Sequence, residues 1–164
     1  MLFLDVKAAF PSVVIRKLLH NLKKSGIPQE YIDWYRRRLD GRSTSLIFDD
    51  FHSESFQVKG GVDQGCPLSP LAFIFYNTDL FRVADPRPRK GELSLGFIDD
   101  VALIAKGESC EEANTKLTRI MEKRGGALQW SEEHHAEFEL DNTALACLSR
   151  KRVLRILNLA TCSS

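Results

Sequence analysis

Three short stretches hold residues able to do chemistry. Asp5 stands alone among apolar residues in Met1-Leu2-Phe3-Leu4-Asp5-Val6. Asp99 and Asp100 are adjacent inside Leu95-Gly96-Phe97-Ile98-Asp99-Asp100-Val101-Ala102. Gln64 and Gly65 lie in Gly60-Gly61-Val62-Asp63-Gln64-Gly65-Cys66-Pro67-Leu68-Ser69-Pro70, three glycines and two prolines in eleven residues. Neighbouring carboxylates repel each other unless something positive lies between them, and a hard divalent cation takes such oxygens as ligands. Asp-Asp is equally an ordinary turn dipeptide, because Asp satisfies turn backbone through its own side chain. A glycine loop that runs into a helix N-terminus suits an anion, through free N–H groups and the helix dipole. The same loop is also a tight turn before a well-capped helix, with Ser69 as cap and Pro70 at the first position.

The elements that carry these stretches follow from periodicity. Leu93 and Leu95 before Asp99-Asp100, and Val101 to Ile104 after, predict two short strands meeting at a tight turn. Met1 to Val6 predicts a strand, ended by Pro11. Ile15, Leu18, Leu19 and Leu22 recur at helical spacing, and Gly26 and Pro28 close that helix. A second helix runs from Pro28 through Tyr31, Ile32, Tyr35 and Leu39 to Gly41, with Arg36, Arg37 and Arg38 where the dipole favours cations. Ser45 to Phe48 and Ser55 to Lys59 predict paired strands around a turn at Asp49 and Asp50. Leu71, Ile74, Phe75 and Thr78 predict one face of the helix after the glycine loop. Asp85 to Gly91 is a loop. Ser109 and Glu112 form a capping box for a helix carrying Ala113, Leu117, Ile120 and Met121. Gly125-Gly126 weakens it, and the pattern resumes through Leu128 to about His134. Thr143 to Leu148 predicts a last strand. His134 and His135 are expected at the surface, about 100° apart on a helix and so poorly placed to share a metal. This order predicts an α+β fold, a mostly antiparallel sheet with helices packed on one face.

Composition bounds the rest. The chain has 164 residues, enough for one domain with a real core. A formal net charge of +1, from 23 basic and 22 acidic residues, excludes strong nucleic-acid affinity from bulk charge and leaves it to local patches. Cys66, Cys110, Cys147 and Cys162 show no CxxC spacing, and all four are expected as reduced thiols without a disulfide partner in an intracellular protein. The longest apolar run, Leu71 to Tyr76, is too short to span a membrane.

Taken in order, these stretches resemble the palm of reverse transcriptases, closest to those of non-LTR (LINE-type) retrotransposons. Phe3-Leu4-Asp5-Val6-Lys7-Ala8-Ala9-Phe10 resembles motif A, Gly61 to Pro70 resembles motif B, and Phe97-Ile98-Asp99-Asp100 resembles the YxDD box of motif C. Leu117 to Leu148 is similar to motif D. The resemblance implies a polymerase palm over residues 1–152, beginning at motif A and stopping before the thumb, with the fingers outside it. Residues 153–164 form a tail that departs from the family pattern.

The resemblance also implies roles. Asp5, Asp99 and Asp100 would be catalytic and hold two Mg²⁺ or Mn²⁺ ions, Asp5 and Asp99 facing each other across adjacent strands. Phe10 would lie against the nucleotide sugar, and Gln64 and Gly65 would line the nucleotide and template pocket. An RNA template, a DNA primer and deoxynucleoside triphosphates would be the partners of the intact protein, inside the cell and in the nucleus. Phe97 replaces the usual Tyr, Asp63 stands where many relatives have Pro, and Cys66 where many have Ser. Asn142 matches a motif D Lys that protonates the leaving pyrophosphate, which Asn cannot do. The functional expectation is an RNA-directed DNA polymerase segment. The alternative is a catalytically inactive retroelement remnant or nucleic-acid-binding piece. A nucleotide cyclase would lack the Gln-Gly-x-Pro-Leu-Ser-Pro loop.

Overall fold

The computed structural model describes residues 1–148 and, as backbone, residues 153–158. In chain order the elements are β1 (Leu2–Asp5), α1 (Ala9–Ser12), α2 (Ile15–Lys24), α3 (Gln29–Leu39), β2 (Ser43–Thr44), β3 (Ile47–Phe48), β4 (Phe51–His52) and β5 (Phe56–Gln57). There follow α4 (Leu68–Tyr76), a 3₁₀ turn (Leu80–Arg82), β6 (Glu92–Phe97), β7 (Asp100–Ala105), α5 (Cys110–Glu122) and α6 (Ala127–His134). A second 3₁₀ turn (Leu140–Asn142), β8 (Ala144–Leu148) and β9 (Val153–Asn158) complete them. The chain divides into two compact units, Met1–Ala9 with Asn77–Ser164, and Phe10–Tyr76.

The first unit is built on an antiparallel sheet in the order β6-β7-β1-β8-β9. Alternation sorts its side chains. Leu2 and Leu4 on β1 oppose Leu103 and Val101 on β7, and all four are buried. α5 packs against β7 on this side through buried Leu117 and Ile120. The opposite side carries Phe3, Leu93, Leu95 and Phe97, all exposed. The α+β class, the antiparallel sheet and the placing of α5 on one face agree with the sequence. Ser109 caps α5 as expected, its hydroxyl accepting from the Glu112 N–H at 3.1 Å. Val153–Asn158, assigned to the tail, pairs with β8; residues 159–164 and the Arg150–Arg152 boundary lie outside the described residues.

Two expectations for this unit are corrected. Cys110 and Cys147 form a disulfide, so they are not free thiols. β8 lies beside β1 while α5 crosses the same sheet, which brings the two Cα atoms to 6.0 Å, a normal bridging distance. His134 is buried rather than superficial, its Nδ1 at 2.9 Å from the Trp130 carbonyl and its ring stacked on Trp130. Trp130 anchors α6 in the core, and a helical i, i+4 neighbour is drawn in with it.

The second unit packs α2 against α3 and α4. Leu18, Leu19 and Leu22 of α2, Ile32, Tyr35 and Leu39 of α3, and Ala72, Phe73 and Tyr76 of α4 are its buried core. The side of α4 expected inside is corrected: Leu71 and Ile74 are exposed, and the buried side lies two positions earlier, at Ser69, Ala72, Phe73 and Tyr76. Tyr76 sets that rotation. Its hydroxyl accepts from the Val14 N–H at 3.2 Å, and its carbonyl accepts from Asn21 Nδ2 at 3.1 Å. The chain turns at Asp49-Asp50 as expected, but the expected pairing of Ser45–Phe48 with Ser55–Lys59 is corrected: Ile47–Phe48 pairs with Phe51–His52, and Phe56–Gln57 with Ser43–Thr44.

Candidate active site

β1 ends at Asp5 and β7 begins at Asp100, and the antiparallel register sets the two directly opposite each other. Opposed residues of such a pair project from the same side of the sheet. For Asp5 and Asp100 that is the open side, with Phe3 and Ala102 as the next opposed pair. Both carboxylates line an open groove of about 600 Å³, together with Phe97 and Asn142.

Asp99 is placed differently from expectation. Ile98 and Asp99 are the two residues of the turn between β6 and β7, so the residue across from Asp5 is Asp100. Ile98 has φ +58°, a left-handed conformation that a β-branched residue adopts at a cost. Two contacts support the turn. Asn77, fully buried, donates from Nδ2 to the Ile98 carbonyl at 3.0 Å. Gly96, one residue before Phe97, lets the ring of Phe81 come so close that a Cβ would strike it.

Asp5 is held from a third direction. Asn142 donates from Nδ2 to Asp5 Oδ2 at 2.6 Å. The Glu139 N–H donates to the Asp5 carbonyl at 2.9 Å, Val6 bridges Phe138, and the Lys7 N–H donates to the Glu137 carbonyl at 2.8 Å. Residues 137–142 are thus strapped along the end of β1.

Two opposed carboxylates with a third on the adjoining turn are the donor chemistry of a hard divalent cation. They fit Mg²⁺ or Mn²⁺ by ligand type. Among the described residues no three His, Cys, Asp or Glu side chains are gathered closely enough to hold an ion together. The structure therefore brings Asp5 and Asp100 together as a pair and leaves Asp99 beside them on the turn.

Phe10, Gln64 and Gly65 belong to the other unit. Phe10 meets Phe73 edge to face, ring centres 5.5 Å apart. Its carbonyl accepts from the Val62 N–H at 2.9 Å, and the Gly61 N–H donates to the Val13 carbonyl at 3.1 Å. Phe10 and the glycine loop are therefore joined through backbone. Only glycine fits at 61: φ is +72°, and a Cβ would lie 2.7 Å from the Pro11 carbonyl oxygen. Gly65 also has positive φ, with open space around it.

Sequence reasoning missed what secures this loop. Arg42 donates to Asp63 Oδ1 at 2.6 Å and to the carbonyls of Gly60 and Gly61 at 3.0 and 2.8 Å. Arg38 reaches Asp63 Oδ2 at 3.2 Å and Cys66 Sγ at 3.4 Å. The backbone N–H of Leu68 lowers the Cys66 thiol pKa and the Arg38 guanidinium adds to that, against an opposing desolvation effect. The Asp at 63, with arginines four apart on and just after α3, was the available signal.

Residues 1–136 match the reverse transcriptase (RNA-dependent DNA polymerase) family, and the chain belongs to it. Its relatives are proteins of non-LTR elements. It is 32% identical over 108 residues to the retrovirus-related Pol polyprotein from a type-2 retrotransposable element of Drosophila melanogaster, covering 63% of this chain and 10% of that protein. It is 34% identical over 128 residues to the Pol polyprotein from a type-1 retrotransposable element of Nasonia vitripennis, covering 71% of this chain and 12% of that one. It is 29% identical over 124 residues to a probable RNA-directed DNA polymerase from transposon BS of Drosophila melanogaster, covering 73% of this chain and 13% of the relative. The chain thus spans about a tenth of the length of the curated relatives it matches. Among the described residues no helix is long and apolar enough to cross a membrane.

Proposed function

We propose that residues 1–152 are the palm segment of an RNA-directed DNA polymerase that extends a DNA primer along an RNA template from deoxynucleoside triphosphates. The observation that supports this most is the Asp5–Asp100 pair on the open side of the sheet, in a chain whose residues 1–136 match the family. The two carboxylates, with Asp99 on the turn, would hold divalent cations. When bound, such cations supply charge to the attacking and leaving oxygens of the phosphoryl transfer. The chain's own part is positioning. The hairpin fixes Asp100, the strap of residues 137–142 fixes Asp5, and the strained turn holds Asp99 beside them.

In the second unit, the flat ring of Phe10 would bear on the sugar of the incoming nucleotide and exclude a 2′-hydroxyl. Gln64 and Gly65 would let a nucleotide approach backbone closely, since Gly65 offers no side chain and Arg42 with Asp63 keeps the loop in one shape. An intracellular, nuclear place of action belongs to the same proposal.

The test is a graft. Residues 1–136 replace the matched stretch in the Drosophila type-2 element polyprotein, and primer extension is measured on an RNA template with Mg²⁺. Extension is expected, lost when Asp5→Ala and Asp100→Ala are introduced together. Extension that persists in the double variant, or a folded graft that binds template and extends nothing, contradicts the proposal.

A further inference from the structure

Asn142 lies beyond the stretch that matches the family, and it makes the one side-chain hydrogen bond to the Asp5 carboxylate among the described residues. Its position is built by backbone. The 3₁₀ turn Leu140–Asn142 closes on itself, with the Asn142 N–H donating to the Glu139 carbonyl at 3.3 Å and the Thr143 N–H to the Leu140 carbonyl at 3.2 Å. Thr143 is buried, and its hydroxyl donates to the Glu139 carbonyl at 2.8 Å. Glu139 in turn donates its N–H to the Asp5 carbonyl. The turn is therefore tied to the same residue whose carboxylate its side chain touches.

A carboxylate across from another carboxylate needs its oxygens aimed if a cation is to sit between them. A donor on Oδ2 fixes the plane of the Asp5 carboxylate and leaves Oδ1, which takes no hydrogen bond among the described residues, as the ligand. A neutral amide does this without discharging the carboxylate. An ammonium at 2.6 Å would form an ion pair with Asp5 and compete with a divalent cation for it.

We propose that Asn142 is a positioning residue for the Asp5 carboxylate, holding one of its oxygens so that the other is presented to a divalent cation. This rests on the proposed cation role of Asp5 and Asp100. It assigns to residue 142 the orientation of a ligand in place of proton donation to a leaving group.

The full 164-residue chain is used for two measurements. The first needs no metal. The side-chain amide protons of Asn142 are followed by ¹H–¹⁵N NMR, and a widely separated, exchange-protected pair is expected, collapsing to solvent-like positions in Asp5→Ala. The second is Mn²⁺ affinity by electron paramagnetic resonance. Asn142→Ala is expected to weaken binding about tenfold or more, the usual effect of removing a group that orients a metal ligand. Asn142→Lys is expected to weaken it further, and Asn142→Ala to leave the melting temperature close to the parent's. Solvent-like Asn142 amide protons in the parent, or Asn142→Ala within twofold of parental Mn²⁺ affinity, overturn the proposal. A parent that binds no Mn²⁺ overturns the cation role itself and this inference with it. In that case a protected amide pair still separates the failed site from a failed hydrogen bond.

Discussion

Asp5 and Asp100 are 95 residues apart in sequence and directly opposite in the sheet, the last residue of β1 against the first of β7. Both line the open groove on the exposed side of the sheet. A two-residue turn supplies Asp100, a strap supplies the partner for Asp5, and the apolar sides of both strands are spent on the core beneath.

The turn gives the first expected outcome. Asn77 is fully buried, its Nδ2 donates to the Ile98 carbonyl, and its Oδ1 has no hydrogen-bond partner among the described residues. Asn77→Ala removes the donor that supports a left-handed isoleucine at a part-buried carbonyl. A loss of about 0.5–1.5 kcal/mol is expected in urea unfolding of the 164-residue chain. A variant within about 0.5 kcal/mol of the parent, the range of ordinary surface substitutions, would show that the turn does not need Asn77.

A second outcome concerns Glu92, buried at the start of β6. It accepts from the Asp85 N–H at 3.0 Å and from the Arg119 guanidinium of α5. Removing one partner of a buried pair leaves an uncompensated charge, at about 3–5 kcal/mol where both partners are buried. Arg119 is half exposed, so Arg119→Ala is expected near or below the low end of that range. Arg87→Ala, which breaks an exposed pair with Asp85, is expected to change stability far less, because solvent screens that pair. Equal melting temperatures for the two variants would contradict the distinction.

Cys66 yields a pH dependence. Its thiol is held below its ordinary value by the Leu68 N–H and then by Arg38, so the thiolate persists to lower pH than in a free cysteine. In a Cys162→Ser background, with Cys110 and Cys147 joined, alkylation rate against pH should show a midpoint below about 8.5. Arg38→Ala should raise that midpoint only in part, because the Leu68 N–H remains. A midpoint at or above the free-thiol value would rule out the contact with α4.

Much of this was legible in the sequence because it is local. The hairpin around Ile98-Asp99, the Ser109 cap, the α2 and α3 stripes and the glycine loop each follow from a few adjacent residues. What escaped is long-range. Nothing near Cys110 announces Cys147, since only the neighbouring of β8 and β1 brings them together. The buried side of α4 is set by Tyr76 meeting Val14 and Asn21, and a helix apolar on every side cannot reveal that in advance. The same holds for the site. Asp5 and the Asp99-Asp100 dipeptide stood out by type, but which of the two aspartates opposes Asp5 depends on the turn having two residues. Asn142 stood out only as a missing lysine, and its contact with Asp5 spans most of the chain.

The most direct measurement is Mn²⁺ binding to the 164-residue chain by electron paramagnetic resonance, comparing the parent with Asp5→Ala, Asp100→Ala and the double variant. The expected result is saturable binding by the parent, weakened in each single variant and abolished in the double, with the fold retained by circular dichroism. Binding in the double variant equal to the parent's would contradict the assignment of the Asp5–Asp100 pair as the cation site.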